Sequence, residues 1–158
     1  MSSLHSILAS PLLIEALCCL GIAVCLYAID IEKGGKKPKY KRVCDVNESM
    51  SCTLVLTSKY GHMAKLLLGL DDKSLFNRSN AEYGLLFYIG LLAFQFYPWT
   101  SLTWHPLLFF IGTLAAVLAS IGLAGILYFV LHNFCMICVC MYLINSALFA
   151  AAAIRLIG

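Results

Sequence analysis

The chain has 158 residues, 61% hydrophobic and only 12% charged, with a mean hydropathy of +0.88. Soluble globular chains are about half apolar and about a quarter charged, so these values argue against a soluble enzyme, a disordered chain or a nucleic-acid binder and point to a small integral membrane protein. The net charge of +3 acquires meaning only when mapped along the chain.

In chain order, the first apolar stretch runs from Leu12 to Ile31, interrupted only by Glu15 near its start and Asp30 at its end. A membrane helix needs about 20 mostly apolar residues. No Lys or Arg precedes Lys33, and the stretch exceeds a signal-peptide core, so it reads as a retained span. Further spans are predicted at Tyr83–Thr100, Leu107–Leu131 and Phe134–Ile157. The second and third are joined by a Trp/Pro-rich turn (Pro98, Trp99, Trp104, Pro106), which suits a membrane interface. The last two are joined by His132 and Asn133. Such short connections force antiparallel neighbours. The expected fold is an all-α membrane protein in a single domain, 1–158: a four-transmembrane-helix bundle with a long loop, 32–82, and short lid helices between helices 1 and 2. That topology puts the long loop on the same face as the turn between spans three and four, with both termini opposite.

The loop is not plain linker. Lys33 to Arg42 is basic and suits solvent or lipid head groups. Asp45-Val-Asn-Glu48 can cap a short helix through Met50, Leu54 and Leu56. Met63, Leu66, Leu67 and Leu70 recur at i, i+3, i+4 and i+7, a stripe too short to span and suited to a lid on the bundle mouth. Ten of the eleven Lys and Arg lie in this loop, which by the positive-inside rule assigns it to the cytoplasm. The cysteines argue the reverse.

Eight cysteines fall into groups. Cys18, Cys19 and Cys25 lie within span one and read as small packing residues, as does Cys140. Cys135-Met-Ile-Cys138 is a C-x-x-C at the start of span four. No His follows it, so c-type haem attachment fails. Zinc would require Cys44 and Cys52 as further ligands. The redox reading explains more: the thiolate is the reactive form, and a helix N-terminus lowers a cysteine pKa. Cys135, Cys138 and Tyr142 are expected on one helical face that continues into hydrocarbon, a geometry suited to a lipid-soluble oxidant. Cys44 and Cys52 form a second pair in a movable loop, so the two pairs together read as a thiol–disulfide relay. The other reading of Cys44 and Cys52 is a static disulfide that staples the loop.

These residues resemble the vitamin K epoxide reductase family. The resemblance covers nearly the whole chain: Leu26-Tyr27-Ala28, Cys44-Asp45, Ser51-Cys52, Asn77-Arg78-Ser79-Asn80, Phe87-Tyr88, Ile126-Leu127-Tyr128-Phe129-Val130-Leu131, and Phe134-Cys135-Met136-Ile137-Cys138 with Tyr142 and Asn145. It implies that Cys135 and Cys138 are the active-site pair, with Cys138 facing the quinone. Cys44 and Cys52 would be the relay pair, recharged by a separate lumenal thioredoxin-like thiol protein. Asn80 and Tyr142 would hydrogen-bond the quinone oxygens, and Phe87 would form an aromatic wall. Tyr83 and Phe87 follow Asn80 at i+3 and i+7, on its face. The alternative for Asn80 is a helix N-cap.

The activity implied is thiol-dependent reduction of vitamin K 2,3-epoxide to the quinone and of the quinone to the hydroquinone. No tightly bound cofactor or metal is expected. The implied place is the endoplasmic reticulum membrane, with the loop and the C-x-x-C lumenal and both termini cytoplasmic. Inhibitors of the 4-hydroxycoumarin type are implied as ligands, although Tyr60-Gly61 stands where the family often has Trp-Gly. The same fold could instead run as a quinone-linked thiol oxidase that makes disulfides for protein folding. A non-enzymatic tetraspan protein with a stapled loop is the reading from outside redox chemistry. His5, His62, His105 and His132 read as loop or interfacial, and Glu15 as reaching the interface.

Overall fold

The computed structural model describes residues 10–34, 45, 50–62, 69, 78–96 and 99–157. Every regular element among them is helical. We label the α-helices α1 (Pro11–Gly34), α2 (Cys52–Leu56), α3 (Asn80–Phe94), α4 (His105–Ile126) and α5 (Met136–Ile157), with a 3₁₀ turn at Lys59–His62. The lid stripe at Met63, Leu66, Leu67 and Leu70 and the basic segment from 35 to 42 lie outside the described residues.

Pro11 opens α1, where its missing N–H costs nothing, and the Ser10 hydroxyl accepts the Leu13 N–H at 3.3 Å. The helix buries Ile14, Cys18, Gly21, Cys25, Ala28 and Ile31, a stripe of alternating three- and four-residue steps. Ser79 caps α3 in a reciprocal capping box with Glu82. The box starts the helix at Asn80, earlier than the expected Tyr83, and it ends at Phe94 rather than near Thr100. At 15 residues α3 is about 22 Å long at 1.5 Å per residue, short of a hydrocarbon core of about 30 Å. Among the described residues, three helices are long and apolar enough to cross a membrane: α1, α4 with its extension to Leu131, and α5.

His105 sets the α3–α4 turn. It is buried rather than interfacial. Its Nε2 lies 2.9 Å from the Phe94 carbonyl, and its ring stacks on Phe94 at 4.4 Å. At its other end α4 loosens into a π-turn, Leu127–Leu131, and stops at His132, which adopts φ 48°. That left-handed conformation is costly for a residue with a Cβ, and it reverses the chain into α5, which begins at Met136 rather than Phe134.

α1 packs on α3 and α5, and α4 packs on α5. One apolar cluster gathers Ile14, Cys18, Cys25, Tyr88, Phe109, Ile144 and Leu148. A second gathers Ala28, Ile31, Cys52, Val55, Ala81, Leu127, Cys135 and Ile137. α2 and the α4–α5 turn therefore meet at one end of the bundle, as the topology required. Cys18 and Cys25 are core residues, whereas Cys19 is exposed on the outer surface.

Candidate redox site

A cavity of about 570 Å³ lies between α3 and α4, in the size range that encloses small-molecule ligands. Its volume has a sequence cause. α4 turns Gly112, Ala115, Ala116, Ala119 and Gly122 toward it, which thins the middle of that wall, while Leu123 and Ile126 close it toward the turn. The opposite wall is Asn80, Tyr83, Phe87 and Tyr88 of α3. Cys138, Met141, Tyr142 and Asn145 of α5 form the back, and Val55, Leu56, Tyr60 and Gly61 form the lid. Gly61 is required there: a Cβ would sit 2.3 Å from the Leu56 carbonyl oxygen.

The structure brings together the expected Cys138, Asn80, Tyr83, Phe87 and Tyr142 on one cavity surface. Tyr142 and Cys138 are within side-chain hydrogen-bonding reach. Asn80 is not the N-cap, since Ser79 has that role. Its Nδ2 donates instead to the Tyr60 carbonyl at 2.7 Å, which ties the mouth of α3 to the lid. Phe87 meets Tyr88 edge to face at 5.5 Å.

Cys135 departs from expectation. It stands ahead of the first residue of α5 and does not share the cavity face with Cys138 and Tyr142. It is fully buried beside Cys52, with side-chain hydrogen bonds to both Cys138 and Cys52. Its Sγ accepts the Cys138 N–H at 3.3 Å, the contact of a helix cap. That contact and the Cys52 thiol favour the thiolate, but they lose. The hydrogen bond to the Cys138 side chain, followed by burial, pushes Cys135 up to about 12. At Cys135 the hydrogen bond to the Cys138 side chain, with burial second, thus outweighs the expected lowering by the helix N-terminus.

Cys44 lies outside the described residues, so its pairing with Cys52 is not described. The neighbouring Asp45 accepts hydrogen bonds from the Ser51 hydroxyl (2.8 Å), the Thr53 N–H (3.1 Å) and the Thr53 hydroxyl. Ser51, not the Asp45–Glu48 segment, is the N-cap of α2. Asp45 thus binds the start of α2.

A second polar group was not anticipated from sequence. The Tyr88 hydroxyl donates to Asn145 Oδ1 at 2.7 Å, and Asn145 Nδ2 donates to the Ser120 hydroxyl at 2.8 Å. All three residues line the cavity. The signal was available: Asn145 follows Cys138 by seven residues and so lies on the same helical face. Cys25 also reaches the cavity, with its thiol 3.9 Å from the Met141 sulfur.

Residues 12–153 match the model of the vitamin K epoxide reductase family. The chain is 34% identical over 142 residues to vitamin K epoxide reductase complex subunit 1 of Rattus norvegicus, covering 84% of this chain and 82% of the relative. It is 35% identical over 149 residues to the Mus musculus protein of the same name, covering 88% and 86%. This all-α chain, with its apolar membrane helices, is an oxidoreductase and belongs to the vitamin K epoxide reductase family.

Proposed function

We propose that the protein reduces vitamin K 2,3-epoxide to the quinone, and the quinone to the hydroquinone, with electrons from thiols. One observation carries this reading: Cys138 opens into an apolar cavity beside Asn80 and Tyr142, while Cys135 behind it touches Cys52. One thiol is thus placed for substrate and its partner for the electron supply. Because Cys138 lines the cavity and Cys135 does not, Cys138 is the nucleophile of the pair.

In this mechanism the Cys138 thiolate attacks an epoxide carbon. A C–S bond forms, the C–O bond breaks, and the oxygen takes a proton. Asn80 and Tyr142 hydrogen-bond the substrate oxygens as charge develops, in the manner of an oxyanion hole. The Cys135 sulfur, deprotonated as it reacts, then attacks the Cys138 sulfur. The S–S bond forms, the C–S bond breaks, and water leaves with formation of the quinone. Two thiols have become one disulfide, and the substrate has gained two electrons. Cys52 attacks Cys135 to give a mixed disulfide and release Cys138. Cys44 attacks Cys52 and frees Cys135. A lumenal thioredoxin-like protein reduces the Cys44–Cys52 disulfide. The apolar walls keep water from the intermediates, and Phe87 and Tyr83 supply aromatic contact to the ring. α3 completes a fourth crossing despite its length. The protein is placed in the endoplasmic reticulum membrane, with the lid and C-x-x-C lumenal and both termini cytoplasmic, because disulfide exchange needs an oxidising compartment. The cavity would also admit 4-hydroxycoumarin-type inhibitors.

A quinone-linked thiol oxidase would use the same residues, so turnover decides. Purified protein in detergent with a dithiol reductant should convert vitamin K epoxide, and Cys138→Ala should abolish conversion. Reduction of quinone without reduction of epoxide would favour the oxidase. Turnover of neither substrate by folded wild-type protein would sink the redox reading.

A further inference from the structure

The relay step needs the Cys52 sulfur to reach the Cys135 sulfur, yet Cys52 belongs to a helix of only five residues. A helix that short has no stability of its own in water. Its position is therefore set by what holds it from outside. At the end where Cys52 lies, one of those holds comes from the turn that carries Cys135. The Asn133 side-chain oxygen accepts the backbone N–H of Ser51 at 2.9 Å. Ser51 is the residue before Cys52, and Asn133 stands two residues before Cys135. This hydrogen bond therefore brackets the two cysteines between adjacent chain segments. Asp45, from the loop, grips the same end of α2 through Ser51 and Thr53. The left-handed His132 fixes the backbone immediately ahead of Asn133.

We propose that Asn133 is a positioning residue for the electron relay: by clamping the Ser51 amide to the α4–α5 turn, it holds Cys52 and Cys135 at exchange distance. This rests on the relay reading given above. Asn133 acts through the Ser51 amide. Its effect is on the effective concentration of one sulfur at the other, the quantity that turns a bimolecular exchange into an intramolecular one. An acceptor of the same length preserves the clamp, and a shorter side chain loses it.

The test isolates the exchanging pair. In the full-length Cys44→Ala/Cys138→Ala protein in detergent, Cys52 and Cys135 are left facing each other without their usual partners. Equilibration with glutathione and glutathione disulfide oxidises the two thiols to one disulfide and reduces one glutathione disulfide to two glutathiones. The fraction oxidised gives the effective concentration of the pair, read by mass spectrometry after alkylation. Asn133→Ser in this background should lower that value at least about tenfold, and Asn133→Asp, which keeps an acceptor at the same reach, should hold it within about threefold of the parent. Because serine is small, polar and at home in a surface turn, the variant is not expected to disturb the fold. If it does, a shift for Asn133→Asp as large as tenfold overturns the proposal by itself. Equal values for parent and Asn133→Ser also overturn it, as does an equal loss in both variants. If the parent forms no Cys52–Cys135 disulfide at all, the relay reading has failed first, and the clamp falls with it.

Discussion

The seam between α1 and α3 and the space between α3 and α4 are both lined mainly by apolar residues, yet one is filled and the other hollow. On the α1 side, Gly21 faces the Tyr88 ring so closely that a Cβ would stand 2.7 Å from its carbons, and Gly84 lies against the Cys25 thiol. Each glycine is matched by a large or polarisable partner. On the α4 side, Gly112, Ala116 and Ala119 face the same helix across the cavity, and a Cβ at Gly112 would reach only ordinary contact, 4.0 Å from the Phe87 ring. Small residues make close packing in one seam and a cavity in the other. What differs is whether the opposite helix is brought near. α1 and α3 pack directly, whereas α3 and α4 are held apart by the stacked His105 and Phe94 at one end and by the lid at the other. An apolar cavity of this size in a stable bundle reflects selection for an occupant, because an empty cavity costs stability.

Filling the hollow side should have the largest effect. Ala116→Trp places an indole in the cavity and should lower turnover about a thousandfold, the consequence of displacing a substrate held at reacting distance. Its thermal midpoint should stay within a few degrees of wild type, because the space is already there. A large fall in midpoint would show that the cavity walls are packed more tightly than the structure indicates.

Overfilling the closed seam should have the opposite signature. Gly21→Val drives methyl groups into the Tyr88 ring and should destabilise by about 2–3 kcal/mol, the scale of overpacking a filled core. Chemical denaturation in detergent measures it. A neutral result would mean that the ring can swing away, and with it the Asn145 hydrogen bond. Tyr88→Phe tests that bond alone. It leaves the seam packed but removes the donor to Asn145 Oδ1, for a loss of about 1–2 kcal/mol, read in the same denaturation series.

The closed seam was more legible in sequence than the open one. Helix positions, the antiparallel order and the shared end for lid and C-x-x-C followed from hydropathy and connection length, because long apolar segments with two-residue turns admit few arrangements. Helical spacing pairs Cys138 with Tyr142 and Asn80 with Phe87, each on one stripe, and the family resemblance implied that the two stripes serve one substrate. Three things could not be read. α3 is shorter than its apolar run because a buried histidine, His105, closes the turn at Phe94, a tertiary contact with no local signal. Cys135 is not on the cavity face because it is a cap rather than a helical residue, and one residue of helix boundary decides between those fates. Asp45 bonds the start of α2 through Ser51 and Thr53, contacts made by a folded-back loop that no periodicity announces.

The smallest expected effect concerns the lid's attachment to α1. His62 Nε2 and a Glu32 carboxylate oxygen lie 3.4 Å apart, with side chains 34% and 19% exposed. Pairs this open are screened by water and salt and contribute about 0–1 kcal/mol. Glu32→Gln should therefore cost about 0.5 kcal/mol or less, with a difference that shrinks further in high salt. The lid is held otherwise by Asn80 to Tyr60 and by Asn133 and Asp45 to α2. None of these bonds carries a net charge pair, so none should fade with salt. A loss above about 2 kcal/mol in Glu32→Gln would show that the lid hangs from α1. In that case the hollow between α3 and α4 would be covered by a charge contact rather than by the polar bonds at the mouth of the bundle.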